Sequence, residues 1–271
     1  MREVISEGMK QIIKRILNQL GLVVYRPAPP PTFWELTEKP RYEPQTVTLL
    51  GHPFKIADGM PFYYNYKEIF EGEIYRFNTL SNPPRIVDCG ANYGASIVYF
   101  KSLYPDAHIT AVEADPKIFK ILEWNIGQRN YQDVKLIQKA ISESDKSVTF
   151  HHEGSCAGRI QALETSKEVF QVEPLSLDEL IREPVDFLKM DIEGSETEAI
   201  CSAENLDNVP QLFVEYHSFK GMEQSLGALL EKLTSCGFRY YIHSHFCSPR
   251  PFTEEALQLG LDLQLNIFAK K

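Results

Sequence analysis

From Arg85 onward the chain alternates short apolar, β-branched runs with helical patterns, and this alternation restricts the fold more than any other feature of the sequence. Strands are predicted at 85–89, 108–113, 134–141, 186–191, 211–217, 238–243 and 263–269. Helix signals fall between them. Pro116 follows Asp115 as a first helical residue after its cap, with Ile118, Phe119, Leu122 and Ile126 on one face. Leu226, Leu229, Leu230 and Leu233 line another helix, closed by Gly237. Apolar strands separated by helices make a mostly parallel sheet covered on both faces, and such sheets bind ligands beyond the carboxyl ends of their strands.

Upstream, residues 1–84 read as an extension to a domain spanning 85–271. Val4, Ile5, Met9, Ile12, Ile13, Ile16, Leu17 and Leu20 form one helical stripe that ends at Gly21. Lys10, Lys14 and Arg15 interrupt it, so it does not span a membrane; it packs on its own domain or a sister subunit, with a membrane surface or disorder as the alternatives. The run RPAPPPTF at 26–33 reads as a stiff linker. A hairpin is expected at 46–54 and a helix at 66–77, with Tyr63, Tyr64, Tyr66 and Tyr75 packing at a domain boundary rather than forming a substrate platform.

The formal charge of -9 argues against a broad nucleic-acid interface, which draws on clustered Lys and Arg. Five cysteines, odd in number and without a CxxC pair, read as reduced thiols in a cytoplasmic protein. No transmembrane segment or signal peptide is expected.

Two stretches concentrate acidic and Gly-rich turn residues at strand ends. In DCGANYG, Gly90 and Gly94 bracket a tight turn in which Ala91 and Asn92 can bring backbone N–H groups against a ligand. The spacing is GxxxG rather than the GxGxxG of a dinucleotide site, which weakens a nicotinamide reading. Asp88 at the strand end would suit a cationic amine. Glu113, 19 residues past Gly94, would accept both hydroxyls of a ribose. Together they describe an adenosine joined to an amino acid, S-adenosylmethionine. Ala114 follows Glu113, and Ala140 beside Lys139 could meet adenine through its backbone.

The order of IVDCGANYG, AVEADP, LSLDEL, DFLKMDIEGSE and LFVEYH resembles the FkbM family of S-adenosylmethionine-dependent methyltransferases over residues 85–268. The resemblance implies an α/β class I methyltransferase fold with a Rossmann-like seven-stranded sheet, order 3-2-1-4-5-7-6 and the last strand antiparallel. It also implies O-methylation of a hydroxyl on a sugar or polyketide-like product. Two departures stand out: Ala114 replaces a frequent Pro, and 1–84 has no clear counterpart, which leaves the acceptor undefined.

That topology makes the fourth and fifth strands neighbours, and their ends carry the catalytic candidates. Alternation puts Phe187, Lys189 and Asp191 on one face, with Leu188 and Met190 on the other; Glu215 and His217 share a face. Asp191 is the central acid, positioning the acceptor hydroxyl or a metal. His217 is the general base, as a side chain titrating near neutrality. Lys189 in a buried strand needs a partner, Glu215 or Asp191. Glu193 and Glu215 shape the pocket or share Mg²⁺ with Asp191, although no spacing demands a metal. Ser195 with Glu198, and Ser176 with Glu179, read as capping boxes. HHEGSC at 151–156 would form a loop over the cofactor, and HSHFC at 243–247 a plain loop in preference to a zinc site.

Two other readings remain: a nicotinamide-dependent sugar oxidoreductase or epimerase, lacking its GxGxxG, and a non-catalytic binding domain, which would be expected to lose Asp88, Glu113 or Asp191. All three acids are present.

Overall fold

The structure, a computed structural model, describes residues 32–144, 146–152 and 168–271. The chain divides into two compact units, Met1–Glu35 and Leu36–Lys271, and the second is described here. The stripe at 4–20, nearly all of the proline run and most of the 151–156 motif lie outside the described residues. Residues 36–84 belong to the same compact unit as the sheet.

Seven strands form the central sheet: β1 (Arg85–Cys89), β2 (His108–Val112), β3 (Val134–Ile137), β4 (Phe187–Met190), β5 (Gln211–Phe219), β6 (Arg239–Cys247) and β7 (Leu261–Lys270). Their order is β6-β7-β5-β4-β1-β2-β3. β7 runs antiparallel to both β5 and β6, while β1 to β5 are mutually parallel, which is the order and polarity the resemblance implied. Helices α1 (Ala95–Leu103), α2 (Pro116–Gly127), α3 (Leu177–Ile181), α4 (Glu196–Ser202) and α5 (Leu226–Ser235) complete the crossovers. Asp115 caps α2 by accepting from the Lys117 and Ile118 amides, with Pro116 in the first turn.

Alternation along the buried strands sets the two layers of the core. Leu188 and Met190 join Val87, Cys89, Leu212 and Val214 in one cluster. Phe187, on the opposite face, stacks on Phe77 at 4.7 Å, carrying the chain before the sheet into the second layer.

Two elements differ from expectation. The helix ahead of the sheet is Gly59–Tyr66, extended by one wide turn over Lys67–Glu71 and ended at Gly72, instead of 66–77. Asp58 starts it, its carboxylate accepting from the Met60 amide at 3.3 Å. The strand expected at 134–141 breaks after Ile137, and Ala140–Ile141 pairs with Pro174–Leu175 instead. That departure turns Ala140 toward the ligand edge. The hairpin forms as Gln45–Leu49 with His52–Ile56. Among the described residues no helix is long and apolar enough to cross a membrane.

Candidate active site

The β1 and β4 turns meet at the carboxyl edge of the sheet, and register decides which side chains face each other. Lys189 lies opposite Asp88 on β1 and Phe213 on β5. Its ammonium is buried, donates to the Gly90 carbonyl at 2.8 Å, and stands 3.2 Å from Asp88 Oδ1 and 3.3 Å from Asp191 Oδ2. Burial alone would discharge it, but Asp88 and Asp191 hold its pKa well above the usual lysine value. Asp191 is thus a partner as expected, whereas Glu215, beyond the paired residues of β4, is replaced by Asp88.

Asp88 departs from the role expected of it. It is fully buried, with Oδ2 accepting from the Ser96 hydroxyl at 2.5 Å and Oδ1 facing Lys189. It lies beneath the ligand edge and anchors Lys189, so it is not available to meet a cofactor amine directly. The glycines too are explained by packing. Gly90 has φ +83°, and a Cβ there would overlap the Asp191 carbonyl oxygen. Gly94 has φ +89°, and its Cβ would stand 2.7 Å from Leu122 Cδ1 on α2. The Gly90 and Ala91 amides bond the Val112 carbonyl within the cofactor half, and the Asp191 amide donates to the Cys89 carbonyl at 3.0 Å, so the two halves are tied by backbone contact.

A cleft opens above β1 and β2, lined by Asn92, Glu113, Ala114, Ile118, Ala140 and Phe150 among others. Glu113 accepts from the Asn92 amide at 2.9 Å and the Asp115 amide at 2.8 Å. Each carboxylate oxygen keeps a second lone pair for a ligand. Burial, opposed by these bonds, pushes the Glu113 pKa up to about 7. Ala114, Ile118, Ala140 and Phe150 offer apolar contact suited to a planar base.

A second, larger cavity adjoins it, and Asn92, Asp191 and Glu193 line both. Its walls come from the chain ahead of the sheet, including Arg41, Tyr64 and Glu68, and from β5 to β7, including His217, His243 and Gln264. Tyr63 and Tyr75 are packed in the core, as expected of the tyrosines, but Tyr64 is exposed at this wall. HSHFC lies in β6 rather than a loop, with His245 Nδ1 2.9 Å from Glu68 Oε1.

His217 stands among carboxylates from three places. Nδ1 is 2.9 Å from Glu196 Oε1, while Nε2 is 3.6 Å from Glu193 Oε2 and 3.7 Å from Glu215 Oε1. Burial favours the neutral ring, but Glu193 and Glu196 outweigh it and hold the pKa well above 6.5. The protonated ring that these acids favour has no lone pair with which to act as base. Glu215, raised to about 8 by burial and by Asp191, accepts from the Gln264 amide.

Glu196 was not singled out by the sequence. Ser195 precedes α4 without a side-chain cap bond, so the expected capping box is absent. Instead the buried Glu196 carboxylate accepts from the Ile192 and Gly194 amides at 3.1 and 3.0 Å. Glu193 at φ 60° and Gly194 at φ 111° turn that loop back on itself. Gln264 also escaped notice; antiparallel pairing sets it opposite His217. At the other predicted box, Ser176 does cap α3, through the Asp178 amide.

A Rossmann-like sheet of this order, with a ligand cleft over its first two strands and a second cavity beside it, defines a class I methyltransferase. The methyltransferase FkbM domain model matches residues 88–240, and the chain belongs to that family. Methyltransferase sdnD of Sordaria araneosa is 29% identical over 221 residues, covering 65% of this chain and 85% of that protein. Methyltransferase 1 of Beauveria bassiana (strain ARSEF 2860) is 25% identical over 193 residues, covering 61% and 78%. Among solved structures, the methyltransferase FkbM of Methylobacillus flagellatus KT is 16% identical with a TM-score of 0.46, over 77% of this chain and 50% of that one.

Proposed function

We propose that the protein is an S-adenosylmethionine-dependent O-methyltransferase acting on a hydroxyl of a small molecule or glycan. The observation that carries this reading is the junction of two cavities at Asn92, Asp191 and Glu193. One sets an acid beside apolar side chains, which would suit an adenosine, and the other is large, of mixed polarity and partly walled by residues 36–84.

Glu113 would hold the ribose hydroxyls, and Ala114, Ile118, Ala140 and Phe150 the base, with Gly90, Ala91, Asn92 and Gly94 shaping the turn beneath. Bound there, S-adenosylmethionine would supply a methyl group already activated on a sulfonium. Transfer forms an oxygen–carbon bond, breaks the sulfur–carbon bond and leaves its electron pair on sulfur. The acceptor must give up its proton in the same step. Asp191, at the shared edge, takes it on a carboxylate oxygen. Lys189 aligns Asp191, while Glu193, Glu215 and His217 set the wall against which the acceptor is oriented.

The net charge of -9 supports a small-molecule acceptor over a nucleic acid. A cytoplasmic setting is part of the same reading, supported by free thiols at Cys89, Cys201, Cys236 and Cys247.

Isothermal calorimetry with S-adenosylmethionine, S-adenosylhomocysteine and NAD tests the cofactor, and transfer of labelled methyl to a panel of hydroxylated sugars and polyketides tests the reaction. Binding of the first two ligands alone, with label in an ether product, is expected. Binding of NAD alone, or of none, refutes the proposal.

A further inference from the structure

Asp191, Glu215 and His217 each present one donor atom, and these atoms lie within 4.8 Å of one another. Their surroundings give them a common focus. His217 Nδ1 is engaged by the buried Glu196 carboxylate, which leaves Nε2 turned toward Glu193 and Glu215, with the Gln264 side-chain amide nitrogen 3.3 Å from it. The Nε2 separations of 3.6 and 3.7 Å are too long for hydrogen bonds. They lie a few tenths of an ångström beyond the spacing of donors around one ion, because ligands held at about 2.1 Å stand roughly 3.0 to 3.4 Å apart at octahedral or tetrahedral angles. An imidazole oriented through its other nitrogen by a carboxylate is the usual support of a metal ligand. Glu215 is likewise held, by the Gln264 amide. The Asp191 and Glu215 side chains are 23% and 12% exposed and line the larger cavity, so a cation there keeps open positions toward the acceptor.

We infer that Asp191, Glu215 and His217 form a binding site for one divalent transition-metal ion, with Glu196 as positioning residue. Two carboxylates and one imidazole favour Mn²⁺, Fe²⁺ or Zn²⁺ over an all-oxygen ion such as Mg²⁺. Resting on the proposed methyl transfer, the inference adds that the acceptor binds through its hydroxyl oxygen, or an adjacent one, to this ion. It thus favours acceptors with vicinal oxygens, as in sugars and catechol-like rings.

Full-length protein stripped with chelator and dialysed is titrated with Mn²⁺ alone, followed by the signal of free Mn²⁺ in electron paramagnetic resonance. S-adenosylhomocysteine binding is measured separately by calorimetry without metal. About one Mn²⁺ per chain is expected, bound at least about tenfold more weakly in Asp191→Asn, Glu215→Gln and His217→Gln, and also in Glu196→Gln. Circular dichroism checks each fold. If the variants unfold, pulsed resonance on the wild-type Mn²⁺ complex decides, through the presence or absence of coupling to an imidazole nitrogen. No Mn²⁺ binding, unchanged binding in folded variants, or a bound ion without nitrogen coupling overturns the site; a proton on Nε2 then serves as the cation among the carboxylates. S-adenosylhomocysteine binding without Mn²⁺ binding removes the metal and leaves the methyltransferase reading intact. Mn²⁺ binding without the nucleoside removes the cofactor assignment and leaves the metal site.

Discussion

Glu113→Gln should strengthen the fold and weaken the cofactor site at once. The carboxylate is raised from 4.5 to about 7, chiefly by burial. A raised acid binds its proton more tightly in the folded chain than in the unfolded one. Folded stability therefore falls as pH rises from about 4.5 to 7, and the whole cost is present above 7. At about 1.4 kcal/mol per pH unit the cost comes to about 3.5 kcal/mol. Glutamine carries no charge and escapes this, but its NH₂ must face one of the two amides that Glu113 now accepts, a loss of about 1 kcal/mol. The variant should gain about 2.5 kcal/mol at pH 8 and almost nothing near pH 5. Removing a charged acceptor for the ribose hydroxyls should meanwhile weaken S-adenosylhomocysteine by roughly tenfold to a hundredfold. Urea unfolding at both pH values and calorimetry at pH 8 read the two effects. Equal gains at pH 5 and pH 8 would show that no ionised carboxylate is strained here, and unchanged affinity would remove the ribose contact.

Gly90→Ala should destabilise the fold by about 3 kcal/mol or more, because its Cβ overlaps the Asp191 carbonyl and its φ is +83°; a thermal midpoint near that of the wild type would contradict this packing. Lys189→Met should cost about 3 kcal/mol or more in urea unfolding by leaving Asp88 buried beside Ser96 alone. The added change Asp88→Asn should recover part of that loss, and strict additivity would argue against the pair. Asp191→Asn should lower turnover by roughly a hundredfold or more while S-adenosylhomocysteine affinity stays nearly level; unchanged turnover would take Asp191 out of proton transfer.

Local signals made most of the framework legible. Apolar runs ending in Gly-rich turns located β1 and β4, and Asp115-Pro116 located the start of α2. What stayed hidden depends on contacts distant in sequence. Asp88 looked like a ligand for an amine because only the β1–β4 register reveals Lys189 beside it. His217 looked like a near-neutral base because its neighbours Glu193 and Glu196 reach it from another turn. Glu196 was hidden by two consecutive positive-φ residues, which no hydrophobic period announces. The second cavity could not be foreseen either, since its walls come from 41–74 and from 215–266.

The overlap that excludes a side chain at Gly90 also shapes how this enzyme can diversify. Because the turn beneath the cofactor cleft touches the turn bearing Asp191, drift in either one disturbs both, and compensating pairs of changes are needed there. Arg41, Tyr64, His243 and Leu259 meet no such constraint from that contact. New acceptors are therefore most accessible through exchanges at those wall positions, with the chemistry at the shared edge carried along unaltered.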